Sequence, residues 1–278
     1  VSDTADTSFV PELDARQRAM LAEMGVRVWA PKPTANRASA GEATRAVAPT
    51  AVQPAAPIPR TPATTSPAPV QATVSVAALT EPMPPRPASP VDTLEWPALR
   101  DTVASCRACG LCEGRTNTVF GTGDEQTDWM VVGEAPGENE DLQGEPFVGA
   151  AGQLLDNMLK AVGRSRHGHG AEGAYITNVL KCRPPANRNP QPVEVAQCEP
   201  YLARQVALVK PKVIVAMGRF AVQALLKTNE PIGRLRGQVH HYQGLPVIVT
   251  YHPAYLLRSP TDKGKAWADL CLAMAQLP

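Results

Sequence analysis

The sequence has no apolar run approaching the roughly 18 residues that a membrane span requires, so a protein without membrane contact is expected. No basic-then-apolar leader opens it, which points to a soluble protein of the cytoplasm. Charge of one sign is also missing: 27 Lys and Arg face 26 Asp and Glu, and from residue 92 onward there are 19 of each. That balance excludes a global basic field, so any nucleic-acid partner must be met by a local stripe that reads shape or a single base. Six cysteines without the dense spacing of a disulfide framework argue for free thiols or metal ligands in a reducing compartment. No internal repeat is present.

What is there is unevenly spread. Of 29 prolines, 15 fall between residues 31 and 100. Residues 31–91 are Ala/Pro/Thr/Val-rich with few aromatics and no periodicity, which predicts a disordered, partly polyproline II linker. As a coil its roughly 60 residues would span about 45 Å. Ahead of it, residues 1–30 hold one helical pattern, with Leu13, Met20, Leu21 and Met24 on one face and Gly25 as a C-cap, then a β-like stretch Val26–Trp29. So short a piece cannot bury enough surface to fold alone. It is either a frayed tail or a docking peptide. Its ending GVRVW followed by proline resembles the N-terminal segment of the psi subunit of bacterial DNA polymerase III, which implies a replisome partner for residues 1–30.

Residues 92–278 change pattern and are expected to form the folded domain. Strand-like runs at Trp129–Val132, Ala174–Thr177, Val213–Met217 and Pro246–Thr250 alternate with helical patterns at Ala151–Val162, Val193–Val209 and Arg219–Leu226. Further helices are expected at Leu94–Ser105 and Lys265–Leu277. Near-continuous apolar strands separated by helices predict an α/β fold with a parallel sheet covered on both faces. In such sheets ligands bind beyond the carboxyl ends of the strands. Four strand ends carry distinctive residues: the loop GEAPGENEDLQGEPFVGAAG (Gly133–Gly152), Asn178, Gly218-Arg219, and Tyr251-His252-Pro253. They should converge on one cleft.

Each end offers a particular chemistry. The five glycines of the first loop let backbone approach a ligand closely, its acids suit proton or water chemistry, and Phe147 is a flat surface for a ring. The Asn178 amide carries one acceptor and two donors, enough to read a base edge. Lys181, Arg183 and Arg188, on the proline-stiffened stretch KCRPPANRNP, suit phosphate contact. In HPAYLLRSP, apolar Tyr255, Leu256 and Leu257 can wedge between stacked bases while Arg258 holds the backbone. His240 and His241 read as surface histidines in a strand. Cys106, Cys109 and Cys112 (CRACGLC) with Cys182 and Cys198 can build a four-thiolate site for zinc or an iron–sulfur cluster. Cys271 reads as a core thiol.

GEAPGENEDLQGEPFVGAAGQLL, ITNVLKCRPPANRNP and HPAYLLR together resemble the motifs of the family 4 uracil-DNA glycosylases, the iron–sulfur branch of that superfamily, over Leu94–Leu277. The resemblance implies a three-layer α/β/α sandwich around a four-stranded parallel sheet and a monomer acting on uracil-containing DNA. It implies a structural 4Fe-4S cluster on Cys106, Cys109, Cys182 and Cys198, with Cys112 off the ligand positions. It implies base-excision repair by hydrolysis of the N-glycosidic bond of flipped-out deoxyuridine. Phe147 would stack on the base, Asn178 pair with its edge, Glu140 exclude thymine, Leu256 fill the gap in the duplex, and Arg183, Arg188 and Arg258 hold DNA. His252 would hydrogen-bond the departing oxygen. Better-known relatives place an Asp where this chain has Ala135, which leaves Glu134, Glu140 and Asn187 to position water. The stretch GRLRGQVHH lacks the inserted basic loop of a sister group that links covalently to abasic DNA. The competing reading is an iron–sulfur accessory protein that binds or traps uracil-DNA without turnover.

Overall fold

The computed structural model describes residue 23 and residues 89–277. The expected linker and nearly all of the expected docking element lie outside the described residues; Glu23, in a helix, is ion-paired to Lys160 at 3.1 Å.

Strands β1 (Trp129–Gly133), β2 (Tyr175–Asn178), β3 (Val213–Met217), β4 (Val239–Tyr242) and β5 (Leu245–Thr250) form one sheet in the order β2-β1-β3-β5-β4. The four runs anticipated from the sequence are mutually parallel neighbours. The four-stranded expectation is corrected by a fifth strand, β4, which pairs antiparallel with β5 at the edge. Its cause is local. Gln243 (φ 51°) and Gly244 (φ 82°) form a two-residue turn with both φ positive, the geometry whose twist matches a hairpin. His240 and His241 lie in this strand, His241 exposed and His240 half-buried against the Leu235 carbonyl.

Between residues 89 and 277 the α-helices are α1 (Trp96–Ala104), α2 (Leu111–Gly114), α3 (Glu138–Gln143), α4 (Gly149–Ala161), α5 (Pro192–Val209), α6 (Arg219–Leu226), α7 (Ile232–Leu235), α8 (Pro253–Arg258) and α9 (Lys263–Met274). Alternate strand side chains sort into two cores, as the period of two requires. Trp129, Val131, Val215, Met217 and Ile248 meet Leu155, Met158 and Leu159 of α4 and Ala266 and Leu270 of α9. Met130, Val132, Ile214, Ala216, Val247 and Val249 meet Leu202 and Val206 of α5 and Val222 and Leu225 of α6. The domain is therefore an α/β/α sandwich. Among the described residues no helix is long and apolar enough to cross a membrane.

Register positions the chemistry. Gly133, where β1 ends, is the partner of Asn178, where β2 ends; Met217 is the partner of Thr250, two residues before His252. The four expected strand ends thus open onto the same edge.

Candidate active site

Beyond those ends lies a cleft of about 790 Å³ whose wall includes Glu134, Phe147, Asn178, Arg219, His252 and Arg258. Ala135, Glu140, Asn187 and Arg188 also reach it.

The first loop is shaped by what its glycines leave out. A Cβ on Gly133 would stand 2.3 Å from Asn178 Oδ1 and 2.5 Å from Phe147 Cζ. No side chain fits there, so the Asn178 amide and the Phe147 ring close over bare backbone. Phe147 has φ 54°, in the left-handed region that costs an ordinary residue roughly 1–2 kcal/mol. Its ring is buried and stacks on the His252 imidazole, centroids 5.2 Å apart and planes 24° from parallel. Glu140 ties the loop together: Oε2 accepts from the Gly137 N–H and Oε1 from the Val148 N–H, both at 3.0 Å.

Glu134 accepts the Phe220 N–H at 2.9 Å, at the start of α6. Burial pushes its carboxyl above the usual range, opposed by the Phe220 N–H and the Arg219 guanidinium. The close approach needs Gly218, whose Cβ would stand 2.5 Å from Glu134 Oε1. The Asn178 amide faces the cleft and makes no hydrogen bond to another described residue.

His252 is the N-cap of α8, and its Nδ1 accepts the Ala254 N–H at 3.2 Å. In the neutral ring that bond leaves the proton on Nε2. Desolvation by burial, with Phe147 stacked on the ring, lowers its pKa to about 4, helped by Arg258. The ring is therefore a neutral donor across the physiological range.

Two assignments are corrected. Leu256 is fully buried in the core on the α4 side of the sheet and cannot reach DNA, whereas Leu257, next along α8, is 43% exposed. Consecutive helical residues point about 100° apart, so one of the pair must turn inward. Lys181 is buried too, with Nζ donating to Thr177 Oγ1 (2.6 Å), the Asn178 carbonyl (2.7 Å) and Gln205 Oε1 (2.7 Å). It holds the backbone beneath the Asn178 amide and is not a phosphate contact. Arg183 stays off the cleft wall, bonded to Asn187 Oδ1 at 2.8 Å, and Arg188 is forked onto Glu194.

Behind Asn178, the side chains of Cys106, Cys109, Cys112, Cys182 and Cys198 line one small separate cavity. Burial raises the Cys182 pKa, Arg115 opposes the rise, and Cys109 and Cys106 are close enough to add to it; Cys109 acts likewise on Cys198. Desolvation pushes the Cys198 thiol up to about 12. Arg115 Nη1 donates to Cys182 Sγ at 3.1 Å. Among the described residues no group of three or more His, Cys, Asp or Glu converges as a single metal ion would require.

A family model of the uracil DNA glycosylase superfamily matches residues 120–272. Type-4 uracil-DNA glycosylases of Archaeoglobus fulgidus and Sulfurisphaera tokodaii are 48% and 45% identical, over 57% and 61% of this chain and 81% and 78% of theirs. That of Saccharolobus solfataricus is 42% identical over 58% of this chain and 77% of its own. The chain belongs to the type-4 uracil-DNA glycosylase family. In this family member the described cleft, the cysteine cavity and the sheet all fall within the same domain.

Arg219, expected at a strand end with Gly218, lies on the cleft wall beside Glu134. Two features of this type-4 chain gave no sequence signal. Arg236 sits over the Tyr251 ring at 4.9 Å while bonded to buried Asp269 at 2.7 Å, bracing the strand end before His252. Arg166 grips the Phe147 backbone from a loop without any motif.

Proposed function

We propose that the chain hydrolyses the N-glycosidic bond of deoxyuridine in DNA, releasing uracil and leaving an abasic site. The observation that carries this is the convergence of a base-reading amide (Asn178), an aromatic floor (Phe147) and a neutral imidazole donor (His252) in one cleft. The uracil is unreachable inside a duplex and must be flipped into that cleft, at a cost of a few kcal/mol.

When the C1′–N1 bond breaks, its electron pair leaves with uracil and the sugar becomes oxocarbenium-like. The His252 Nε2–H donates to the oxygen on which uracil's negative charge develops. Because the ring is already neutral and fixed by the Ala254 N–H, no proton need be lost to prepare it. A water then bonds to C1′, and the proton it loses is balanced by protonation of the uracil anion, so the products are the abasic sugar and neutral uracil. With Ala135 where an Asp would stand, Glu134, Glu140 and Asn187 are the groups of this chain that can orient that water.

The cysteine site supports a 4Fe-4S cluster on Cys106, Cys109, Cys182 and Cys198. An all-sulfur set suits iron–sulfur ligation. Cys106, Cys109, Cys182 and Cys198 all line one shared cavity, which puts the four sulfurs such a cluster needs around a single space. Held there, it would supply a structural staple between the α1–α2 segment, the loop after β2 and α5. Six cysteines with no disulfide among the described residues accord with a reducing, cytoplasmic setting. Residues 1–30 and 31–91 would serve as docking peptide and tether to a replisome partner, and 92–278 as the catalytic domain.

The test is a purified full chain given a labelled oligonucleotide with one uracil. Alkali-labile cleavage at uracil by a brown protein with a broad visible absorption is expected. A brown, folded protein that binds but never cleaves would overturn the reading in favour of binding without turnover.

The wedge belongs to Leu257. Leu257→Ala is expected to slow excision from duplex DNA about tenfold more than from single strands, roughly 1.4 kcal/mol. Leu256→Ala is expected to lower stability by about 2–5 kcal/mol. Single-turnover rates and thermal melting check both; equal slowing on the two substrates by Leu257→Ala would remove it from the wedge position.

A further inference from the structure

Phe147 is held in an unfavourable backbone conformation, and the groups that hold it are charged. The peptide joining Phe147 to Val148 is gripped at both ends: its carbonyl accepts Arg166 Nη2 at 2.9 Å and its N–H donates to Glu140 Oε1 at 3.0 Å. The preceding carbonyl, of Pro146, accepts Arg166 Nη1 at 3.2 Å. Both peptides flanking Phe147 are therefore pinned by one guanidinium, and φ and ψ of Phe147 have little freedom left. Arg166 is itself fixed, with Nε donating to Asp156 Oδ1 of α4 at 2.7 Å and its side chain 7% exposed. Gly152 completes the seat, since a Cβ there would lie 1.8 Å from the Phe147 carbonyl oxygen.

We propose that Arg166 is a positioning residue for uracil excision, locking Phe147 in the left-handed conformation that presents its ring as the floor for the flipped base. The inference rests on the uracil reading above. Arg166 is absent from the cleft wall and acts only through Phe147. Its planar fork reaches two carbonyls and a carboxylate at once. A lysine ammonium, a point donor, does not reproduce that geometry. Without the clamp the Phe147 peptide is free to relax to negative φ, which swings the ring off its place beside His252. Charge-assisted hydrogen bonds of this kind are strong enough to hold such a conformation.

A double-mutant cycle tests this, with excision kinetics measured for wild type, Arg166→Met, Phe147→Ala and the double variant. Arg166→Met is expected to lower kcat/KM about tenfold or more, with Arg166→Lys restoring little of it. In the Phe147→Ala background, Arg166→Met is expected to cost less than about twofold, because the two residues act as one unit. Equal losses in both backgrounds would overturn the proposal and leave Arg166 a general scaffold residue. Should Arg166→Met not fold, Asp156→Asn, which loosens the guanidinium from a half-exposed position, carries the same cycle. Its loss should appear beside Phe147 and vanish without it; a loss of the same size in both backgrounds overturns the proposal. The wild-type lane separates the two readings. No excision by wild type refutes the glycosylase function, whereas excision with additive losses refutes Arg166 alone.

Discussion

Replacing His252 with alanine is expected to slow uracil release by about 10²–10³-fold, while binding to uracil-DNA persists. The magnitude is that of one preorganised donor removed from a developing anion, roughly 3–4 kcal/mol. The ring makes its contribution only as charge moves onto the base, so the loss should fall on the chemical step and not on the affinity for DNA. Its pKa, lowered from 6.5 to about 4, gives the expectation a second readout. Above pH 6.5 the ring is neutral in folded and unfolded chains alike. As pH falls through 6.5 toward 4 only the unfolded chain takes up the proton, so stability from this group is full above 6.5 and lost below it. The donor is intact throughout, and the excision rate should show no inflection near 6.5 that belongs to His252. An inflection there, present in wild type and absent from His252→Ala, would mean a cationic acid in place of a neutral donor. Equal single-turnover rates for the two proteins would remove His252 from the reaction.

The sheet was legible because parallel strands buried on both faces must be apolar throughout, as Val213–Met217 is. β4 read only as strand-like. An edge strand keeps one side wet, and VHHY shows no apolar alternation to say that it joins the sheet. The cleft was legible from glycines and an asparagine at strand ends, since those residues are constrained by their own backbone positions. What sequence could not give was direction. Leu256 and Leu257 are chemically identical, and only the packing of α8 against α4 decides which turns inward. Lys181 sits in a run of charges that looks solvated, but Gln205, 24 residues on, and the Thr177 hydroxyl provide acceptors that allow burial. Arg166 was invisible because its partners are peptide carbonyls 19 and 20 residues earlier, and a carbonyl has no side-chain signature.

Asn178→Ala is expected to lower kcat/KM for uracil by about 10²-fold or more, and Asn178→Asp to shift relative preference toward cytosine. The Asn178 carboxamide points into the cleft without a partner among the described residues, its Oδ1 brought over Gly133 by the absence of a side chain there. Beneath it, the Lys181 ammonium holds the Asn178 carbonyl, so the amide projects from a fixed strand end. An amide presents a donor and an acceptor side by side, matching the acceptor and donor of the uracil edge. Cytosine reverses that order and leaves both groups mismatched in a closed site, where unpaired polar groups are costly. A carboxylate at 178 only accepts. It would face the uracil carbonyl with like charge and the cytosine amino group with a partner, so discrimination should fall from both sides. Competition between uracil and cytosine oligonucleotides, read as the ratio of kcat/KM, is the measurement. If Asn178→Asp keeps the wild-type ratio, uracil is recognised by the shape set by Phe147 and Glu140, and the Asn178 amide serves only to close the loop.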